Sequence, residues 1–148
     1  MEYPLITINY LAVVLAIVVS FIWGGLYYGP LMGKRWAKEM NMDFTKKPDK
    51  KVMQKSLAVN LIGTFLICYV LAHTNQVWRP SVWGHIGADG PAWSYGFWGA
   101  FFVWIGFFVP LQLNKVSWEM RSWRLVAINV AHDFVQLQLI SQVLAHLR

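Results

Sequence analysis

Charge is scarce in this chain: Asp, Glu, Lys and Arg together make up 14% of its 148 residues, and only seven are acidic. A soluble domain clothes itself in charge, so this scarcity excludes an ordinary water-exposed fold. Cysteine is nearly missing as well. Cys68 is the only one and lies inside an apolar stretch, which excludes an intrachain disulfide and a cysteine-based zinc site and leaves a packed thiol. There is no glycine-rich phosphate loop, no H-E-x-x-H and no nucleophile elbow, so neither an enzyme nor a cofactor is expected. His73, His85, Asp89 and His146 match no ligand spacing, and no metal site is expected from them.

What the chain has instead is apolar length. Hydrophobic residues reach 57%, and residues 5–26, 57–76 and 93–113 carry no charge, while 125–147 carries only Asp133 apart from its histidines. A helix needs about 20 residues to cross a hydrocarbon core. The expectation is one all-α membrane domain over residues 1–148 with four transmembrane helices, at about 5–28, 57–77, 93–114 and 124–147. Glu2 stands where a signal peptide would be basic, so the first stretch is expected to be retained as a helix.

The net charge of +6 is unevenly placed. Lys34, Arg35, Lys38, Lys46, Lys47, Lys50, Lys51 and Lys55 lie between the first and second stretches, and Lys115, Arg121 and Arg124 between the third and fourth. Only Arg79 and Arg148 fall on the other side. Such banding fits membrane topology rather than nucleic-acid binding, and the positive-inside rule puts both termini outside. The basic loop between the first two helices, lysine-rich over residues 45–55, is expected to be solvated and to rest on anionic lipid headgroups. Trp36, Trp118 and Trp123 mark the basic interface, and Trp78, Trp83, Trp93 and Tyr95 the opposite one.

The end of the first helix reads Tyr27-Tyr28-Gly29-Pro30-Leu31-Met32-Gly33-Lys34-Arg35-Trp36. This run resembles the aromatic-Tyr-Gly-Pro-Leu-x-Gly-Lys-x-Trp signature of a family of small bacterial four-helix membrane proteins of unknown function. The resemblance implies a four-helix fold and a multi-pass address in the bacterial inner membrane. A last helix with a polar or histidine-containing centre also fits, at Asn129 and His132, whereas Asp133 is not carried over from the family pattern.

Gly29 and Pro30 are expected to stop the helix, with glycine in a left-handed C-terminal conformation, and Gly33 to give a second bend. Trp36, Met40 and Phe44 then fall near helical spacing among charges, the pattern of a short interfacial helix. The signature residues Tyr28, Gly29, Pro30, Gly33 and Trp36 read either as helix stop and anchor or as a gate at the inner mouth of a pathway. Ala12, Ala16, Ser20 and Gly24 form a small-residue seam on the first helix, and Gly96, Gly99, Gly106 and Pro110 a similar face on the third.

Asn129, His132, Asp133 and Gln136 follow i, i+3, i+4, i+7 and form one polar stripe on the fourth helix. Asp133 lies roughly 13 Å along the helix from Arg124, near mid-membrane. A carboxylate there costs about 3 kcal/mol, so it needs partners: Asn129 or Gln136 on its own helix, Thr64 or Ser20 across the bundle, or a proton of its own. The stripe reads as a proton or cation site with His132 as relay, or as a polar knot that fixes helix register. Adjacent helical residues diverge, which counts against His132 and Asp133 as a direct catalytic pair.

Gln138, Ser141 and Gln142 lie on the other side of the same helix and are expected to contact another subunit through amide hydrogen bonds. Two functions follow: a small homo-oligomeric channel or transporter with a protonatable site on helix four, or a non-catalytic accessory subunit that docks into a larger membrane complex.

Overall fold

The computed structural model describes residues 4, 6–43, 45–46 and 49–148. Glu2, Leu5 at the expected start of the first span, Phe44 of the interfacial pattern and Lys47 lie outside the described residues. Helix α1 (Tyr10–Leu26) begins where the Asn9 side-chain oxygen accepts the N–H groups of Leu11 and Ala12, at 3.0 and 3.3 Å. These are donors that a helix start would otherwise leave unpaired.

The signature does not stop α1 in the expected way. Pro30 has no N–H for the usual bond, and the helix widens over Tyr27–Leu31, where the Met32 N–H reaches back five residues to the Tyr27 carbonyl at 2.7 Å. The bend falls at Gly29, whose φ of −98° is not left-handed. Gly33 is the buried first residue of α2 (Gly33–Glu39) rather than a second bend. Trp36 is half-buried on α2, its ring 5.4 Å from that of Tyr28, while Lys34, Arg35 and Lys38 face out.

Helix α3 (Lys50–Val77) starts seven residues before the apolar stretch does, because Asp49 caps it by accepting the N–H groups of Lys51 and Val52 at 2.8 and 3.3 Å. Lys50, Lys51 and Lys55 therefore belong to exposed helical turns, which corrects the reading of residues 45–55 as a loop throughout. Residues 50–62 are all exposed, whereas Thr64, Cys68, Leu71, Ala72, Asn75 and Gln76 are buried. Only the second half of α3 joins the core.

A short 3-10 turn (Pro80–Trp83) leads to α4 (Ala92–Val103), which widens at Trp104–Phe108 and continues as α5 (Val109–Ser117). Pro110 again lacks the N–H that would bond back to Gly106, so a proline follows or sits in both wide turns. Helix α6 (Trp123–His146) starts at Ser122, whose hydroxyl accepts the Leu125 N–H at 3.1 Å.

The fold is all-helical among the described residues, and three helices are long and apolar enough to cross a membrane: Tyr10–Leu31, Lys50–Val77 and Ala92–Ser117. At 24 residues α6 is about 36 Å long, but its polar side chains set it apart from those three. It is the hub of the bundle, packed against α1, α3 and α4, with α5 beside its first half. Leu137, Ile140 and Leu144 of α6 meet Ala12, Val13 and Ala16 of α1, Cys68 and Leu71 of α3, and Ala100 of α4 in one apolar core. The small-residue seam of α1 is thus where backbones approach. The Asn9 side chain donates to the Leu147 carbonyl at 2.6 Å, which ties the start of α1 to the end of α6 at the end of the bundle opposite the basic segments.

Candidate functional site: a buried histidine–aspartate pair

Below the apolar core, toward the basic end, α6 presents His132 and Asp133, both buried, near the middle of its length. Contrary to the expectation from helical geometry, the two side chains meet: His132 Nδ1 lies 3.1 Å from Asp133 Oδ1. The δ nitrogen sits close to its own backbone, so a short swing of each side chain closes the gap that adjacent Cβ directions open. The contact is within hydrogen-bond distance.

The other carboxylate oxygen is held by a residue that the sequence reading overlooked. Gln112 on α5 donates Nε2–H to Asp133 Oδ2 at 3.1 Å. Its own carbonyl oxygen accepts from Asn129 Nδ2 at 3.4 Å, and the Asn129 carbonyl accepts from the Tyr28 hydroxyl at 3.1 Å. Tyr28, Asn129, Gln112 and Asp133 form a head-to-tail chain in which each donor points toward the carboxylate. Tyr28 is therefore a member of the site as well as of the helix-bend signature.

The remaining expected members divide. Gln136 donates to the Ser20 hydroxyl at 2.6 Å, one turn farther along α6, so both lie next to the pair without touching Asp133. Thr64 is buried, but its hydroxyl faces Asn60 on its own helix at 3.5 Å and takes no part. Asn129 contacts Asp133 only through Gln112.

Aromatic rings wall in the imidazole. The rings of Tyr28, Tyr27 and Trp23 have their centres 4.6, 5.2 and 6.2 Å from that of His132. At such separations aromatic faces favour a cation, so they suit an imidazolium as well as a neutral ring. His132 Nε2 is buried and has no hydrogen-bond partner among the described residues. It faces Gly24, where an added Cβ would lie 3.9 Å away.

Two of these rings, with Trp104, also grip the α6 backbone. Tyr27 Oη–H donates to the Ile128 carbonyl at 2.9 Å, Trp104 Nε1–H to that of Val130 at 3.0 Å, and Trp23 Nε1–H to that of His132 at 3.3 Å. Tyr27 and Trp104 are the first residues of the two wide turns, so each proline-linked irregularity aims an aromatic donor at the same stretch of α6. A cavity of about 340 Å³ lined by Tyr28, Trp36, Gln112, Lys115, Arg121 and Asn129 brings the basic end up to the outer members of this chain.

Farther up α6, the polar side chains read as a subunit contact are occupied within the chain. Ser141 is fully buried, its hydroxyl and carbonyl accepting from Asn75 Nδ2 at 3.0 and 3.1 Å. Gln138 donates to the Phe97 carbonyl at 3.2 Å and Gln142 to that of Trp93 at 3.0 Å. The reason for expecting an outside partner at Gln138, Ser141 and Gln142 is thereby corrected: α6 is central, and α3 and α4 cover the face that was thought bare. Glycine makes this approach possible, since a Cβ at Gly99 would lie 2.5 Å from Asn75 Oδ1 and one at Gly96 2.8 Å from the Gln142 side chain. Gly106 and Pro110, expected on the same face, are exposed.

At the end opposite the basic segments, Asp89 is committed to structure. It accepts from the Ser81 N–H and hydroxyl, each at 2.8 Å, and pairs with Arg79 at 2.7 Å, while Arg79 also donates to Gln76 at 2.6 Å. Burial works against the Asp89 carboxylate, but the Ser81 hydrogen bonds and the Arg79 charge outweigh it and bring its pKa down to about 2. His73 and His146 bond to the carbonyls of Tyr69 and Gln142 on their own helices, at 2.8 and 2.9 Å.

No curated protein and no solved structure matches this chain. A family model described as "Protein of unknown function (DUF1761)" matches residues 11–145, nearly the whole length. The chain therefore belongs to that family of unknown function.

Proposed function

We propose that this is a four-span protein of the bacterial inner membrane, with both termini outside, that acts as a small proton-coupled transporter or channel. The His132–Asp133 pair is its proton site. The observation that carries the reading is the Tyr28–Asn129–Gln112–Asp133 chain, which joins a cavity at the basic end to a pair buried near the middle of α6. Ionisable groups at that depth are costly and commonly mark ion or proton pathways.

The chemistry is proton exchange without a covalent step. With one proton shared between imidazole and carboxylate, the pair carries a net negative charge. A second proton makes it an imidazolium–carboxylate pair of zero net charge, with the cation lying against the rings of Tyr27 and Tyr28. Loading from the basic side thus brings the net charge of the pair to zero while Asp133 stays a carboxylate, and unloading restores the negative charge. The two protons belong to the pair as a unit.

Proteoliposomes loaded with a pH-sensitive dye test this under an imposed pH gradient. Wild-type vesicles are expected to move protons, and Asp133→Asn to abolish the flux while the protein still assembles. Unchanged flux in Asp133→Asn, or none in the wild type under any gradient, overturns the reading.

A second reading has its own support. Beyond Gln136 the path is closed by Val13, Leu71, Leu137, Ile140 and Leu144, an apolar layer beside which the buried Asn75 and Ser141 bond to each other. A bundle open on one side only also suits an accessory subunit whose polar knot fixes α6. Affinity purification in mild detergent distinguishes the two, since an accessory subunit brings down a stoichiometric partner and a self-sufficient transporter does not.

A further inference from the structure

The basic end holds a second cavity, separate from the one lined by Tyr28 and Gln112, that the proposed function does not use. It is a groove of about 530 Å³ between α2 and the first three turns of α6. Its rim carries Arg35, Lys38 and Arg124, and its floor is apolar, with Ala127, Ile128 and Ala131 from α6. Arg124, Ala127, Ile128 and Ala131 recur at i, i+3, i+4 and i+7, so the charge and the apolar strip lie on one face of α6 in the order headgroup side, then hydrocarbon side.

The strip is open, with Ala127 and Ala131 exposed. None of the three rim cations makes an ion pair among the described residues. Glu39, the one acidic group in the lining, is engaged by the Ser122 hydroxyl. The α6 N-terminus adds its own partial positive charge at the same place.

We infer that this groove binds one phospholipid with an anionic headgroup. The headgroup phosphate lies among Arg35, Lys38 and Arg124, and an acyl chain runs along Ala127 and Ala131. The proposal gives a specific seat to lipid contact that charge patterning alone assigns to the lysine-rich segment. Three cations at one end of an exposed apolar strip match a group that is anionic at one end and hydrocarbon at the other. A zwitterionic lipid brings its own cation to the same rim and gains less. The inference is independent of proton movement.

The test titrates phosphatidylglycerol, phosphatidylcholine or inorganic phosphate into delipidated protein in neutral detergent and follows the thermal unfolding midpoint. Phosphatidylglycerol is expected to raise the midpoint of the wild type, and of the control Lys50→Gln/Lys51→Gln, which loses equal charge outside the groove. In Arg35→Gln/Arg124→Gln the half-saturating lipid concentration is expected to rise by about five-fold for each cation lost. Ala131→Phe, which fills the floor without changing charge, is expected to abolish the rise, and it tests the site even if the double variant does not fold. Equal stabilisation by phosphatidylcholine, an equal rise with inorganic phosphate alone, an undiminished response in Ala131→Phe, or equal loss in the Lys50/Lys51 control overturns the proposal.

Discussion

The two halves of α6 solve opposite problems with the same neighbours. In the half toward the end of α6, Leu137, Ile140 and Leu144 interlock with small residues of α1 and α4, and a buried polar pair, Ser141 with Asn75, is sealed between helices. In the basic half, the same helix is flanked by two cavities, ringed by Trp23, Tyr27, Tyr28 and Trp104, and carries Asp133, the only buried acidic residue among those described. Close packing fixes the first half, and hydrogen-bond direction fixes the second. The bundle is therefore expected to be rigid above the proton pair and adjustable below it.

Ile140→Ala attacks the rigid half most directly. Loss of a fully buried side chain from a close-packed core is expected to cost about 3 kcal/mol, read by reversible unfolding in mixed micelles. If the cost is no larger than for a residue beside the basic-end cavities, such as Ile128→Ala, the contrast between halves fails. Gly99→Val should cost about 2 kcal/mol by overpacking, because its new side chain begins against Asn75. Asn75→Ala, which removes the polar contact without crowding, is expected to cost about 1 kcal/mol.

In the adjustable half the signs separate. Tyr28→Phe removes the first donor of the chain to Asp133 and should cost under about 1 kcal/mol of stability while slowing proton flux. A large stability loss without a flux change would make the chain a structural knot.

The smallest effect is expected at the loop beyond the rigid half. Asp89 has its pKa lowered from 3.8 to about 2, so it contributes stability that is fully present above pH 3.8 and is lost as pH falls through about 2. Asp89→Asn should lower stability by about 0.5–1 kcal/mol at neutral pH, and the difference from wild type should vanish near pH 2.

The sequence made the helices legible because lipid demands apolar length, but it made their ends illegible where another force acts. α3 begins at Lys50 because Asp49 caps it, and lysines above an apolar run look like loop to any reading by hydropathy. The polar stripe on α6 was visible from spacing, whereas its partners depended on which helices lie beside it. Gln112 is a single amide in an otherwise apolar run, a signal that was present and unused. Gln138, Ser141 and Gln142 looked exposed because a helix wheel shows one helix at a time; only packing on three sides reveals that they are covered.

The central position of α6 also bears on how the protein is made. Its own side chains commend it to lipid less than those of its neighbours do, yet it is synthesised after all of them. The earlier helices are apolar enough to enter a bilayer by themselves, while α6 brings a carboxylate and four side-chain amides that each bond to a residue on its predecessors. Docking of the last helix and completion of the bundle are then one event, and a ribosome stalled before Trp123 would leave the three long apolar helices with an empty seat between them.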